Sequence, residues 1–437
     1  MMEIKGKYCT AKIYAGTIED GVVEQLKEIV NCPAFKDQQV RCMPDVHVGA
    51  AGPCGLVATI GEWVNPQHVG VDIGCEVSMV FLNKKIPEFI YKEFEAKVKE
   101  QVKFGQTIHS ECKVDKLEFV KFIQEGFDTY RGIWPDKLYE LPKVVTIEYI
   151  NSVISRVGIN EEHFWRSLGT VGGGNHYWEY GEGSEGNTCH YAYSVHCGSR
   201  NFGLKVCHYW TKLAECGLSK SEIKSITDAL KVEYSNTYSS MEGFSEALKE
   251  KLDIEKSKKI PGYLTGDLLR GYLCDMCFAQ LYAKFNHITI EKIVNEILGQ
   301  YGIHQIDRIS CTHNFIDLED HTLRKSAIRS YKGERLLLPF NMKSGTAVCE
   351  GKSNTEWLNG CAHGAGRKMS RTMAKSKISL EEFKLSMEGV YSTTVCESTI
   401  DESPMAYKDT DEIKRLISET ADIKFMMLPK INIKATE

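Results

Sequence analysis

No stretch of the 437 residues approaches the roughly 18 uninterrupted apolar positions that a membrane-spanning helix needs. The opening MMEIKGKYC has no apolar run of the signal-peptide type, and no internal repeat or low-complexity tract follows. Charge of one sign is missing too, with 54 Lys and Arg against 59 Asp and Glu and a formal net charge of −5. These absences exclude a helical membrane protein and a repeat solenoid. They also argue against a surface that grips nucleic acid everywhere, while leaving room for a local basic groove. A soluble, cytoplasmic protein is expected.

What is present is an ordinary globular mixture, 42% hydrophobic and 26% charged, with enough chain for up to about three domains or one large domain. Sixteen cysteines are many. A chain this long does not need disulfide staples, so the thiols are expected to stay reduced and to serve as core residues or metal ligands.

Thr17 can cap a helix whose apolar positions Val22, Val23, Leu26, Ile29 and Val30 recur at helical spacing. From Arg41 to Leu82 short apolar runs alternate with Gly, Pro, Asp and His, as strands joined by tight loops do. Residues from about 86 to 168 show helical patterns, with Phe89, Phe94 and Val98, then Leu117, Phe119, Val120 and Phe122. From about 205 to 300 the chain is charged and helix-prone, read as a helical insertion carrying the stripe Leu268, Leu269, Tyr272, Leu273, Met276 and Tyr282. Polar, glycine-rich clusters lie between the helical spans. They suggest one mixed α and β domain over residues 1–437 whose loops converge on a single site.

Asp72 and Cys75, three residues apart in Val69-Gly-Val-Asp-Ile-Gly-Cys75, offer a hard oxygen and a thiolate able to bridge two cations. The alternative is a small core cysteine in a turn. His176 ends Gly172-Gly-Gly-Asn-His176, His196 lies in Val195-His-Cys-Gly-Ser-Arg200, and His313 follows an apolar run. Each histidine is either a ligand or a hydrogen-bonded core residue; together the five side chains suffice for two cations. His363, in His363-Gly-Ala-Gly-Arg367, stands among small neighbours that leave its ring accessible. It can attack phosphorus while Arg367 neutralises oxygens, or it can be a packed histidine at a helix start. Lys325 is a further cation for phosphate or for solvent. Gly351-Lys-Ser353 lacks the glycine that a Walker A motif needs, because Thr346 occupies that place, and Gly172-Gly-Gly174 lacks the Rossmann spacing. Cys274-Asp-Met-Cys277 has no second metal-binding pair nearby and is read as core.

The ordered set Pro44-Asp-Val-His47, Val69 to Cys75, Gly172 to His176, Val195 to Arg200, His313-Asn314 and His363 to Arg367 resembles the RtcB family of GTP-dependent RNA ligases. The likeness runs from about residue 40 to Lys434, through Met369-Ser-Arg371, Pro404 and Ala406-Tyr-Lys-Asp409. It implies an α+β, mixed-sheet fold with a central metal and nucleotide cleft. It implies two Mn²⁺ ions on Asp72, Cys75, His176, His196 and His313, with His363 as the nucleophile that becomes guanylylated by GTP. Guanylate contacts are implied for Asn175, His176, Tyr177, Trp178 and Glu179, for His313 and Asn314, and for Pro339, Phe340, Asn341 and Met342. Thr346, Gly364, Ala365, Gly366 and Lys434 complete that set. Arg200, Lys325 and Arg367 are implied to serve RNA or phosphate. The implied reaction joins RNA 3′-phosphate or 2′,3′-cyclic phosphate ends to 5′-hydroxyl ends.

Three places depart from the family pattern. Glu76 follows the metal cysteine where glycine is usual, which would add a carboxylate to the metal shell or repel RNA. Phe340, Asn341 and Lys343 replace small residues in a loop expected near the nucleotide, and Asn201-Phe202 replaces a smaller pair. If Phe340 and Lys343 block guanylate, the alternative is a two-metal phosphohydrolase acting on phosphate ends. A non-catalytic RNA-end-binding protein is the third reading.

Overall fold

The computed structural model describes residues 1–237 and 241–436. Two sheets position the site. One has six strands in the order Met2–Lys5, Thr10–Ile13, Val40–His47, Cys54–Thr59, Thr322–Lys325 and Asn314–Asp317. The other has seven, in the order Gln305–Thr312, Glu76–Leu82, Thr188–Cys197, Tyr177–Glu185, Ala421–Ile433, Gly345–Gly351 and Arg335–Asn341. Its two edge strands curl back to meet, where the Leu337 amide donates to Cys311 Sγ at 3.3 Å and Arg335 Nη2 to the Arg308 carbonyl at 3.0 Å.

Strand Glu76–Leu82 is buried along its whole length, so its two faces belong to two cores. Val77, Met79 and Phe81 pack with Ile309, Leu337 and Ala362, whereas Val80 and Leu82 pack with Trp178, Tyr193 and Ile290. Because strand side chains alternate, Cys75 and Glu76 diverge to opposite sides of this sheet. His313 is the step between the sheets: it follows Gln305–Thr312 in one and precedes Asn314–Asp317 in the other.

The span from about 205 to 300 holds helices Lys220–Thr237, Met241–Ser257 and Gly266–Gly299, after Arg200–Cys216. Helix Gly266–Gly299 is buried on nearly every side, with Tyr272, Cys274, Met276, Cys277, Phe278 and Tyr282 inside. Phe278 meets Phe202, Phe164, Phe127 and Phe119 ring to ring, and removing such a buried ring costs about 3–5 kcal/mol. Phe202 is thus a core residue of this cluster and not part of the cleft.

Helix Asp20–Val30 buries Val22, Leu26, Ile29 and Val30 as the spacing predicts, but it begins after Glu19 and not at Thr17, and no side chain caps it. In the next helical span Phe94, Val98 and Phe119 are buried, whereas Phe89 and Leu117 are exposed. Among the described residues, no helix is long and apolar enough to cross a membrane.

Candidate active site

Four of the five proposed ligands come from neighbouring strand ends of the seven-stranded sheet. Cys75 precedes Glu76–Leu82, His196 lies near the end of Thr188–Cys197, His176 precedes Tyr177–Glu185, and His313 follows Gln305–Thr312. The ladder aligns them: Val77 and Tyr177 both pair with His196, and the His313 amide donates to the Cys75 carbonyl at 2.9 Å. Cys75 Sγ lies 3.4 Å from His176 Nε2 and 3.3 Å from His196 Nε2, and the latter is 3.3 Å from His313 Nε2. Asp72 Oδ2 is 3.0 Å from His176 Nε2. All five donor groups therefore converge.

The surroundings set their chemical state. His176 Nδ1 donates to the Val171 carbonyl at 3.0 Å, which leaves Nε2 as the coordinating nitrogen. Burial, then neighbouring imidazoles, hold His196 and His313 well below the ordinary histidine range, so both are neutral. Burial pushes Asp72 up, but His176 outweighs it and keeps the carboxyl low. Burial and Asp72 push the Cys75 thiol well up, and a divalent cation is the kind of neighbour that reverses this. A buried thiol and three buried imidazoles, converging with a partly exposed carboxylate, fit a borderline divalent metal.

The loops that carry these groups are held from behind. Asn286 Oδ1 accepts from the Gly169 amide at 2.8 Å, while its Nδ2 donates to the Thr170 and Gly198 carbonyls at 3.0 and 3.3 Å. Asp72 Oδ1 accepts from the Ser199 amide at 3.0 Å. Gly198 is required at that approach, since a Cβ there would lie 2.2 Å from the carboxylate. Asn314 donates to the Asp72 carbonyl at 3.1 Å and accepts from the Ser326 amide at 2.8 Å, so it braces the loop.

His363 follows strand Gly360–Ala362, across from the cluster. Its ring centroid is 4.9 Å from that of His313. Buried Asp45, on Val40–His47 of the other sheet, places Oδ2 2.6 Å from His363 Nδ1 and accepts the His363 amide at 3.1 Å. Lys408 pins that strand by donating to the Pro44 and Val46 carbonyls at 3.2 and 2.6 Å.

In front of His363 lies a cleft of about 460 Å³. Asn175, Tyr177, Glu179, Pro339 to Met342, Thr346, Gly364 to Arg367 and Lys434 line it, as does His196. Trp178 does not: it points to the far side of its strand, against Phe94 and Tyr193. Burial pushes Glu179 up to about 8 against the opposing pull of Asn432, which donates to it at 2.8 Å, and of Lys434. Asn432 Oδ1 is buried on this wall without a hydrogen-bond partner among the described residues.

Of the three basic residues, Arg367 lines the cleft and Lys325 and Arg200 lie behind it. Lys325 is buried, its ammonium donating to the carbonyls of Ala51, Gly52 and Gln67. Arg200 donates to Thr170 Oγ1 and the Gly105 carbonyl, both at 2.9 Å, and packs on Gly172, where a Cβ would lie 2.0 Å from the guanidinium. Neither lines the cleft. Arg367 does, but it donates to the Asp401 and Met369 carbonyls and to Glu402. Glu402 also accepts from Arg371, Lys434 and Tyr407, at 2.6, 3.0 and 2.6 Å. Burial pushes Glu402 up, yet Lys434 and Arg371 overcome this and bring it down to about 2.

The unusual residues leave the cleft open. Glu76 is buried behind the sheet, accepting from Arg308 at 3.4 Å and Thr312 at 3.1 Å, so it joins no metal shell and meets no RNA there. The Phe340 ring is buried in the core, with the Lys414 ammonium 5.8 Å from its centroid. Lys343 turns away to the Glu388 carbonyl.

Fold and site together define an α+β protein with a cluster of buried thiol and imidazoles and a partly exposed carboxylate able to hold metal, at the root of a cleft facing one orientated histidine. The family described as RtcB, tRNA-splicing ligase RtcB, matches residues 25–435. The chain belongs to the RtcB family. It is 25% identical to the RNA-splicing ligase RtcB of Escherichia coli strain K12 over 442 residues, covering 95% of each chain. It is 24% identical to the tRNA-splicing ligase RtcB of Nanoarchaeum equitans, over 94% of this chain and 91% of that one. The Archaeoglobus fulgidus protein of the same name is also 24% identical, over 91% and 87%.

Proposed function

We propose that the protein is an RNA ligase joining 3′-phosphate or 2′,3′-cyclic phosphate ends to 5′-hydroxyl ends, with GTP as co-substrate and Mn²⁺ as the metal. The observation that carries this reading is the 2.6 Å pairing of His363 Nδ1 with Asp45. A proton held on Nδ1 leaves the Nε2 lone pair free as nucleophile. Nε2 attacks the α-phosphorus of GTP, pyrophosphate leaves, and GMP remains on His363 as a phosphoramidate. Asp45 stabilises the positive charge that builds on the ring. The guanylate then passes to the RNA 3′-phosphate, water having first opened any cyclic phosphate, and His363 regains its lone pair. The 5′-hydroxyl displaces GMP and closes the phosphodiester.

Asp72, Cys75, His176, His196 and His313 would hold two ions, which when bound supply Lewis-acid stabilisation to phosphoryl oxygens. Glu179, Asn432 and Lys434, with the backbone of Pro339 to Met342 and Gly364 to Gly366, form the wall on which the guanylate rests. Arg371, at the cleft rim and half-exposed, is better placed than Lys325 or Arg200 to meet RNA phosphate. A reducing, cytoplasmic compartment suits sixteen free cysteines. Incubation with α-labelled GTP and Mn²⁺ tests the reading: an acid-labile label is expected on the protein, absent from His363→Ala. An unlabelled wild type that nonetheless releases phosphate from RNA ends would favour the hydrolase instead.

A further inference from the structure

Besides the metal cluster and His363, the cleft wall carries another nucleophile. Cys54 opens strand Cys54–Thr59 directly opposite His47, the last residue of Val40–His47. His47 Nδ1 lies 2.9 Å from the Asp45 carbonyl, which can only accept, so Nδ1 holds the proton and Nε2 is left to take one. Thiol and imidazole stand side by side on one face of the sheet as a cross-strand pair. Lys325 adds a fixed charge from the strand on the other side, and the loop delivering Cys54 wraps around its ammonium through the Ala51 and Gly52 carbonyls. Cys54 is half-buried, and with His47 and Ser326 it lines the same cleft as His363. A thiol, an imidazole on the facing strand and a carbonyl that orientates that imidazole make up the arrangement that activates a thiol.

We propose that Cys54 is a modification site of the cleft that takes small disulfides of the glutathione class, with His47 as its base. Cys54 passes its proton to His47 Nε2, and the Sγ electron pair attacks one sulfur of the disulfide. The disulfide's S–S bond breaks as the new one forms, and the departing thiolate takes a proton from water. Cys54 is oxidised, and half of the small disulfide is reduced to thiol. The groups around Cys54 favour the thiolate: burial pushes the thiol up, but His47, then Lys325 and Ser326, outweigh it and bring it down to about 6. The other titratable neighbours are Asp45 beside His47, His68 behind Lys325, and His363 in the same cleft. The adduct stands in front of His363. Its consequence for guanylylation rests on the ligase reading, whereas its formation does not.

The test uses the full chain with Mn²⁺ and oxidised glutathione between about pH 6 and 8.5, with every cysteine followed by peptide mass spectrometry. Exposed Cys189 and Cys216 serve as references in the same sample. A lower pKa raises the thiolate fraction more than it lowers intrinsic nucleophilicity, so Cys54 should react roughly tenfold faster than either reference at pH 6, with the advantage shrinking as pH rises. His47→Gln should abolish the advantage. Equal rates at pH 6, or an unchanged advantage in folded His47→Gln, overturn the proposal; if that variant does not fold, the wild-type pH profile decides alone. The adducted protein should also take no label from α-labelled GTP. Labelling that persists on the adduct overturns the obstruction, while an unmodified protein that never labels counts against the ligase reading and leaves the thiol chemistry standing.

Discussion

Asp45 holds His363 twice, through the ring nitrogen at 2.6 Å and through the backbone amide at 3.1 Å. The carboxylate thus fixes both the tautomer and the direction of the ring. Asp45→Asn preserves the shape but can offer an N–H to Nδ1, which moves the ring proton to Nε2. The rate of GMP transfer to His363 should fall on the order of 10³-fold, with an unchanged circular-dichroism spectrum. Label appearing within a few-fold of the wild-type rate would mean that Asp45 does not set the tautomer.

The cluster's protonation states predict how metal uptake responds to pH. His196 and His313 are already neutral, but the Cys75 thiol must lose its proton when a cation binds. Co²⁺ titration of dialysed protein should produce a thiolate charge-transfer band, absent from Cys75→Ala, and affinity should rise with pH between about 6 and 8. A band that survives in Cys75→Ala would place the metal elsewhere.

Glu402 predicts a pH dependence of stability. Its folded-state pKa, about 2, lies below the ordinary glutamate value, so its contribution is fully present above about pH 4.5 and is lost as pH falls toward 2. A displacement of that size corresponds to about 3 kcal/mol at neutral pH. Glu402→Gln should lower the urea midpoint clearly at pH 7, and the gap from wild type should narrow between pH 4.5 and 3. A gap independent of pH would show that the hub acts through shape and not charge.

Glu76 lies on the far side of the sheet from the candidate metal ligands. Glu76→Gln should leave Co²⁺ affinity within about twofold, because the side chain lies on the opposite face from Cys75. It should cost about 1–2 kcal/mol of stability, since Arg308 keeps Glu291 at 2.7 Å but loses its second carboxylate. A large loss of metal binding in a folded variant would contradict the strand geometry.

The cluster was legible in the sequence because polar residues interrupting apolar runs are conspicuous. Cys75, His176, His196, His313 and His363 each end a strand or stand beside one, where a side chain can leave the sheet. Other features depend on contacts between distant segments. Glu402 carries no local sign of the cations it gathers, and Lys325 reads as a free cation until the loop at Ala51 closes on it. Asp45 stands inside Pro44-Asp-Val-His47, but its partner lies 318 positions away. Trp178 differs from these, because the two-residue period of its strand already sends Tyr177 and Glu179 one way and Trp178 the other. Thr17 shows the usual slip at helix ends, where several residues compete to begin the first turn.

His313 makes the sheet junction itself part of the metal cluster. Sliding one layer past the other would drag an imidazole with it, so the five donor groups stay together only while the two sheets keep their register.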